Sequence, residues 1–454
     1  MLFLLIGCSG GSSSKTATVQ TSISDPATCR SPQGPFSHIY VTVTDVEIHQ
    51  SADASPSDSG WVDLTPDLAK NPSQVDLLGS SNQCFLATLG SAGIPAGSYQ
   101  QIRIILAANS ASVNNNKCGS NANCLMLTSD PTNTPVALQL SSQSQTGIKI
   151  PSGQIAGGQF TVAAGDNKDL NLDFDACASI VTQGNGQFRM KPVLHAGEVT
   201  LQSTSTAISG TVTDASTQQP IVGGNTVVAL EQKDANGVDR VFMETVPDSN
   251  GGFSFCPLPT GSYDVVVTAV NGGGVAYAAT VIAGVQPGSS LGSIPLTPAG
   301  MPASINGMVT SSGGGAGVSV DLTVSALESI TVNNASYLVT IPLATQSAGS
   351  AALSTAAGMS CPAGTDCASY TLSVPASTPS VGSFTSGGNQ SPAPPVVGPS
   401  QYTVDAQAFL AGGAPQTDCS PPDLQTNQTS ANAPLLATSG VGVTASTLAF
   451  SGCN

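Results

Sequence analysis

Apolar and polar positions alternate along much of the chain, and that alternation predicts strands. In His38-Ile-Tyr-Val-Thr-Val-Thr-Asp-Val-Glu-Ile-His49, β-branched residues recur at every second position, the period of a half-buried strand. Further strands are expected at 61–64, 101–107, 136–140, 147–150, 159–163, 169–174 and 189–201, with a short helix near 66–69. Ile94-Pro-Ala-Gly-Ser-Tyr99 is a turn leading into one of them. Beyond residue 207, Phe253, Phe255, Tyr263, Val265 and Val267 alternate so that all can enter one core, and Gly252 and Gly261 suit tight turns. Ile305-Asn-Gly-Met-Val-Thr310 echoes Ile208-Ser-Gly-Thr-Val-Thr213, which suggests a diverged repeat. Strands are expected at 318–324, 337–341, 402–410 and 441–450, and the Pro-, Ser- and Gly-rich stretch 375–400 reads as a long loop.

Composition supports the same picture. The 454 residues predict about three domains. Only 8% of residues are charged, while glycine (49) and proline (31) are frequent. Long amphipathic helices need many charged residues on their wet face, so the fold class is all-β, as tandem β-sandwich domains. The last basic residue is Arg240. Before residue 241 there are 18 acids and 11 bases, and after it nine acids and no base. Phosphate backbones are bound by clustered Lys and Arg, so a nucleic-acid partner is excluded.

The amino terminus reads MLFLLIGCSGGSSSKTATVQTS. Leu5-Ile-Gly-Cys8 resembles a bacterial lipobox, whose cysteine becomes the lipidated first residue. Met1 leads directly into Leu2-Phe3-Leu4 without a basic n-region, so residues 1–26 are expected to be a truncated lipoprotein signal followed by a flexible tether. Ten cysteines remain besides Cys8, an even count that suits disulfides in an exported protein. Cys118 and Cys124 flank a tight polar loop, as do Cys361 and Cys367, and Cys419 with Cys453 is a third candidate pair. Cys29, Cys84, Cys177 and Cys256 stay unassigned.

Two stretches carry family resemblances. YVTVTDVEIHQ, GWVDLTP, VDLL, IPAGSYQQIRIIL, GIKIPSG, FTVAAGDNKDLNLDFDACASIV and FRMKPVLHAGEV follow one another over about 27–200. This series resembles the domain of unknown function 4382, which implies an all-β envelope domain over 27–203 and supplies no catalytic residues. ISGTVTD, QQPIVGG, NGGFSF and LPTGSYDVVV resemble a carboxypeptidase regulatory-like domain. That likeness implies a transthyretin-like sandwich over 207–298, followed by a β-rich domain over 301–454.

Chemistry is sparse. There is no GxSxG, HExxH, Walker A or Rossmann glycine pattern. His38 and His49 fall on opposite faces of one strand, and His195 has no neighbouring ligand residue. Asp169, Asn171, Asp173 and Asp175 alternate, so they share one strand face that either binds Ca²⁺ or is simply the wet side opposite Leu170, Leu172 and Phe174. Trp61 is the sole tryptophan; Tyr40 and Tyr277 are the aromatics expected to be exposed, whereas Phe255 and Tyr263 belong to a core. The reading is a non-catalytic, lipid-anchored envelope protein with no cofactor, partnered by the membrane and by polysaccharide or other envelope proteins. A carbohydrate-binding module is the alternative, and a hydrolase the third. Metabolic labelling with a lipid analogue, using the full-length gene, should mark the wild type and not Cys8→Ser; equal labelling of both contradicts the anchor.

Overall fold

The computed structural model describes residues 16–24, 35–79, 87–140, 146–176, 179–183, 186–191, 193–199, 207–221, 224–234, 236–344, 350–396, 398–410, 419–421, 423–426 and 434–453. The alternating segments are strands, and the only helical pieces described are 3-10 turns at Ser152–Gln154 and Ala156–Gly158. The expected helix near 66–69 is a turn. The single strand expected at 189–201 is two, Phe188–Met190 and Leu194–Val199.

The first region is a sandwich. One sheet runs in the order Leu194–Val199, Asn167–Phe174, Thr16–Ser24, Ala87–Pro95. The other is built around the long strand Phe36–His49, flanked by Gln101–Leu106 and Cys124–Leu127. Val19, Ile23, Leu170 and Leu172 from the first sheet share one buried core with Ile39, Val41, Ile102 and Ile104 from the second. Thr16–Ser24 corrects the expected tether. It is a central strand, parallel to Asn167–Phe174 and antiparallel to Ala87–Pro95, because its alternating Ala17, Val19, Thr21 and Ile23 fill the core.

The rest of the chain repeats one arrangement twice. Ile208–Asp214 lies between Gly252–Phe255, antiparallel, and Ser290–Leu296, parallel. Ala303–Gly313 likewise lies between Asp366–Val374, antiparallel, and Gly442–Thr444 with Leu448–Phe450, both parallel. The facing strands also correspond: Asn225–Lys233 is paired on both sides, by Val238–Thr245 and Tyr263–Val270, as Val320–Val332 is by Ala335–Ile341 and Ser400–Leu410. The two repeats are fused. Val238 and Asp239 pair in parallel with Leu338 and Val339, and Thr280–Val285 pairs with Ser380–Ser383, so one 13-stranded sheet runs through both. Part of 375–400 is therefore structured. Beyond that strand, the Gln390 amide reaches Leu291 O at 3.2 Å and Thr385 O at 3.0 Å.

Three disulfides close between described residues: Cys118–Cys124, Cys361–Cys367 and Cys419–Cys453. Cys256 is disulfide-bonded as well, while Cys29, Cys84 and Cys177 lie outside the described residues.

Ion pairs join the regions. Arg189, in the first region, binds Asp321 and also donates to Ser354 Oγ at 2.7 Å in the third. Lys191 is buried, donates to Thr323 Oγ1 and lies 5.3 Å from the Phe409 ring centre. Burial pushes its ammonium down to about 8. Arg240, in the second region, forks onto both oxygens of Asp405 and onto Asp423, with Asp234 at 3.1 Å on its Nε. The Asp405 side chain is 0% exposed, so removing its cation strands a buried charge. Arg240→Ala should cost about 3–5 kcal/mol of stability by urea unfolding. Adding Asp405→Asn should recover a large part of that loss; a double variant as unstable as the single one would show that the loss is packing alone.

Candidate functional site

The strand face carrying Asn171 and Asp173 is not wet. Asn171, Asp173 and Asp175 are buried and Asp169 is half-buried, because the second region packs against this sheet. Gly197, opposite Asn171, makes the close approach possible: a Cβ there would sit 2.5 Å from Pro259 Cγ. The His195 ring packs 4.8 Å from that of Phe242. Within the interface Asn171 Nδ2 donates to Ser24 Oγ at 2.7 Å, and Ser24 Oγ donates to Asp173 Oδ1 at 2.9 Å. Among the described residues, Asp173 Oδ2, Asn171 Oδ1, Ser22 Oγ and His195 Nδ1 are buried without a hydrogen-bond partner. Burial drives the Asp173 carboxyl well above its usual range and His195 down to about 4, so the imidazole is neutral near pH 7. Among the described residues no three His, Cys, Asp or Glu side chains are grouped to hold a metal ion. Asn171 and Asp173 are thus buried where the second region packs onto this sheet.

A second polar cluster lies at the fusion of the two repeats. Glu231 and Asp264 face each other across Asn225–Lys233 and Tyr263–Val270, and Asp239 is on the neighbouring strand Val238–Thr245. All three are buried. Glu231 Oε2 accepts the Thr340 N–H at 3.1 Å, and Asp264 accepts the Tyr337 hydroxyl and the Gly284 N–H. Burial, then the neighbouring Asp264, raises Asp239 to about 8. Burial, then Asp239, raises Glu231 well above the carboxylate range. Lys233 Nζ caps the cluster 3.5 Å from the Tyr337 ring centre. Farther along the same sheet, burial raises Glu328 to about 8, with Ser400 Oγ donating to it. Asp239 and Glu328 therefore hold protons and act as neutral hydrogen-bonding groups at neutral pH. Sequence reading missed them. Their signal was an acid inside an apolar strand, as in Val-Ala-Leu-Glu231 and Val320-Asp-Leu322.

The aromatic residues are similarly engaged. Trp61 donates to Ser55 O at 3.0 Å, with the Arg103 guanidinium 4.1 Å from its ring centre and His49 packed at 5.1 Å. Together with Arg103 on Pro56 O and Lys149 on Ala54 O, it pins the 50–60 loop. Tyr277 is buried and donates to Asp214, which corrects the expectation that it is exposed. Tyr40 is half-buried and stacks on His38, whose Nδ1 is 2.7 Å from Asp76. Tyr99 and Tyr263 each donate from the hydroxyl to the carbonyl of the proline four residues earlier, Pro95 and Pro259. Phe255 and Tyr263 are core residues. Cys8 lies outside the described residues.

Residues 16–192 match the family model described as Domain of unknown function (DUF4382). The match starts at the Thr16–Ser24 strand, eleven residues before the boundary expected at 27. No curated protein matches the sequence. Among solved structures, the chain overlaps the Bacillus anthracis TIE protein at 9% identity and a TM-score of 0.17, covering 96% of this chain and 51% of that one. It therefore spans about half the length of that protein. Shaft pilin SpaA of Lactobacillus rhamnosus GG overlaps at 11% identity and a TM-score of 0.18, over 63% of this chain and 99% of the pilin. A streptococcal ancillary pilin overlaps at 10% identity and a TM-score of 0.16, over 95% and 98%. At TM-scores this low the overlaps carry no weight for how the chain works.

The buried carboxyls set a pH dependence. Native Asp239 and Glu328 hold their protons to about 8, whereas unfolded carboxyls release theirs near 4. Between these values the native state binds more protons. The stabilisation is complete below about 4 and falls as pH rises, by about 1.4 kcal/mol per unit for each group, levelling off above about 8. Buried His195, held down at about 4, works the opposite way between about 6.5 and 4, and Asp214, held down at about 2, does so only at more acidic pH; over pH 5 to 8 the raised carboxyls outweigh the one histidine. The melting temperature should therefore be higher at pH 5 than at pH 8, and Glu328→Gln should flatten that slope. A melting temperature independent of pH over this range contradicts the assignment.

Proposed function

We propose that this chain is a non-catalytic module of the bacterial cell envelope, held to the membrane through lipid on Cys8 and displaying its β-domains for binding. The observation that carries this reading is where the reactive side chains go. The paired carboxylates that a hydrolase would aim at a substrate are here turned inward. Asp239 and Asp264 lie under Tyr337 and Lys233, and Asp405 and Asp423 are held by Arg240. The disulfides favour an oxidising, extracytoplasmic setting. Carbohydrate binding is the less favoured reading, because Trp61 is clamped by Ser55 and Arg103 and Tyr277 is buried.

The exposed turn Asn333–Asn334, where both residues have positive φ, is suited to an epitope insertion. Intact cells carrying that insertion in the full-length gene should bind the cognate antibody without permeabilisation. Staining that appears only after permeabilisation would rule out display. On a polysaccharide panel Trp61→Ala should match the wild type, and a selective loss of binding in that variant would move the assignment to a sugar-binding module.

A further inference from the structure

Among the described residues, the strand Asp366–Val374 is paired along its length on one side and at Cys367 alone on the other. Its register with Ala303–Gly313 runs through nine residue pairs with no bulge. On its outer side Cys367 exchanges both backbone hydrogen bonds with Ala356, each 3.1 Å. Strand geometry alternates with period two, so the N–H and C=O of Ser369, Thr371 and Ser373 point the same way as those of Cys367. Among the described residues, none of those six groups meets a backbone partner on that side. Ser369 and Thr371 are exposed, while Tyr370, Leu372 and Val374 are buried in the sandwich.

Natural proteins blunt free edges with charge, proline, bulges, shortness or a covering loop. The other long edges here show such devices. Ala87–Pro95 is bulged and ends in proline. Leu194–Val199 carries Glu198, paired with Lys168. Ser290–Leu296 contains Pro295 and is covered at Leu291 and Ser293 by Asn389 and Gln390. Residues 368–374 show none. The surroundings do not repel a partner either: after Arg240, the one fully exposed acid among the described residues is Asp248, at a distant turn.

We infer that residues 368–374 form an assembly edge, which pairs antiparallel with the same residues of a second copy of this chain. Its own sequence favours a second copy. Antiparallel pairing centred on Thr371 sets Ser369 against Ser373, small hydroxyl pairs that suit neighbouring strands. It also sends the two Asp366 carboxylates to opposite ends, where they do not meet. Pro375 and the Ala356 contact limit the paired length, so the dimer is weak and concentration-dependent.

The exported chain in a Cys8→Ser background tests this by analytical ultracentrifugation from micromolar to millimolar concentration. Wild type should shift from one chain mass toward two. Ser369→Lys and Ser369→Pro should stay at one chain mass with an unchanged melting temperature, whereas Ser91→Lys, on the Ala87–Pro95 edge, should still dimerise. If Ser369→Pro misfolds, Ser369→Lys decides alone. Slower amide exchange of Ser369, Thr371 and Ser373 at high concentration is the matching signature. A wild type that stays monomeric throughout overturns the inference, and so does a dimer that survives Ser369→Lys. A chain whose edge leaves a synthetic peptide of residues 366–374 unbound also overturns self-pairing.

Discussion

The carboxylates after Arg240 have no cation of their own, and the way they are neutralised holds the molecule together. A buried carboxylate must be paired or protonated, because leaving it charged in a low-dielectric interior costs several kcal/mol. Both solutions are used. Asp321 takes Arg189 from the first region, and Asp405 and Asp423 take Arg240 from the second. Glu328 pairs with no cation among the described residues, and burial keeps its proton on to about 8. The third region therefore depends on side chains supplied by the regions before it. Its charge compensation and its fold are inseparable from the rest of the chain.

That dependence agrees with the backbone. The two repeats have matching strand arrangements around Ile208–Asp214 and Ala303–Gly313, each with its own core. They are not two beads on a string, because a shared sheet passes from Val238–Thr245 to Ala335–Ile341. Val266, Ala279 and Val281 belong by sequence to the second region and pack into the core of the third. Residues 207–297 on their own would expose this apolar surface, so the earlier boundary at 298 marks a point in the sequence rather than a separable unit.

The polar interior has a consequence for the molecule's working conditions. Burial raises Asp239 to about 8 and drives Glu231 and Asp173 well above the carboxylate range, and from the facing repeat Thr340 donates its N–H to Glu231 while Tyr337 donates its hydroxyl to Asp264. The interfaces between regions are thus tightest where protons are plentiful. Outside, the surface after Arg240 is nearly uncharged, so neighbouring copies meet without long-range repulsion.

Local information was enough for the strands and for the class of fold. Alternation in His38–His49 and around Phe253 to Val267 has only one physical solution, a sheet with one face in a core. Even the repeat was legible, since two Ile-x-Gly-x-Val-Thr strands begin equivalent sheets. What alternation cannot say is which face ends up wet. Asn171 and Asp173 look like a solvent face and are buried, because only the tertiary fold brings Pro259 and Phe242 onto them. Thr16–Ser24 reads as a polar tether and becomes a central strand, because its partners lie about 70 and 150 residues away, distances over which local pattern carries no signal. The missing bases after Arg240 were plain in the sequence. That Arg189 and Arg240 reach forward to fill the gap was decided by packing alone, since a charge finds its partner in space and not along the chain.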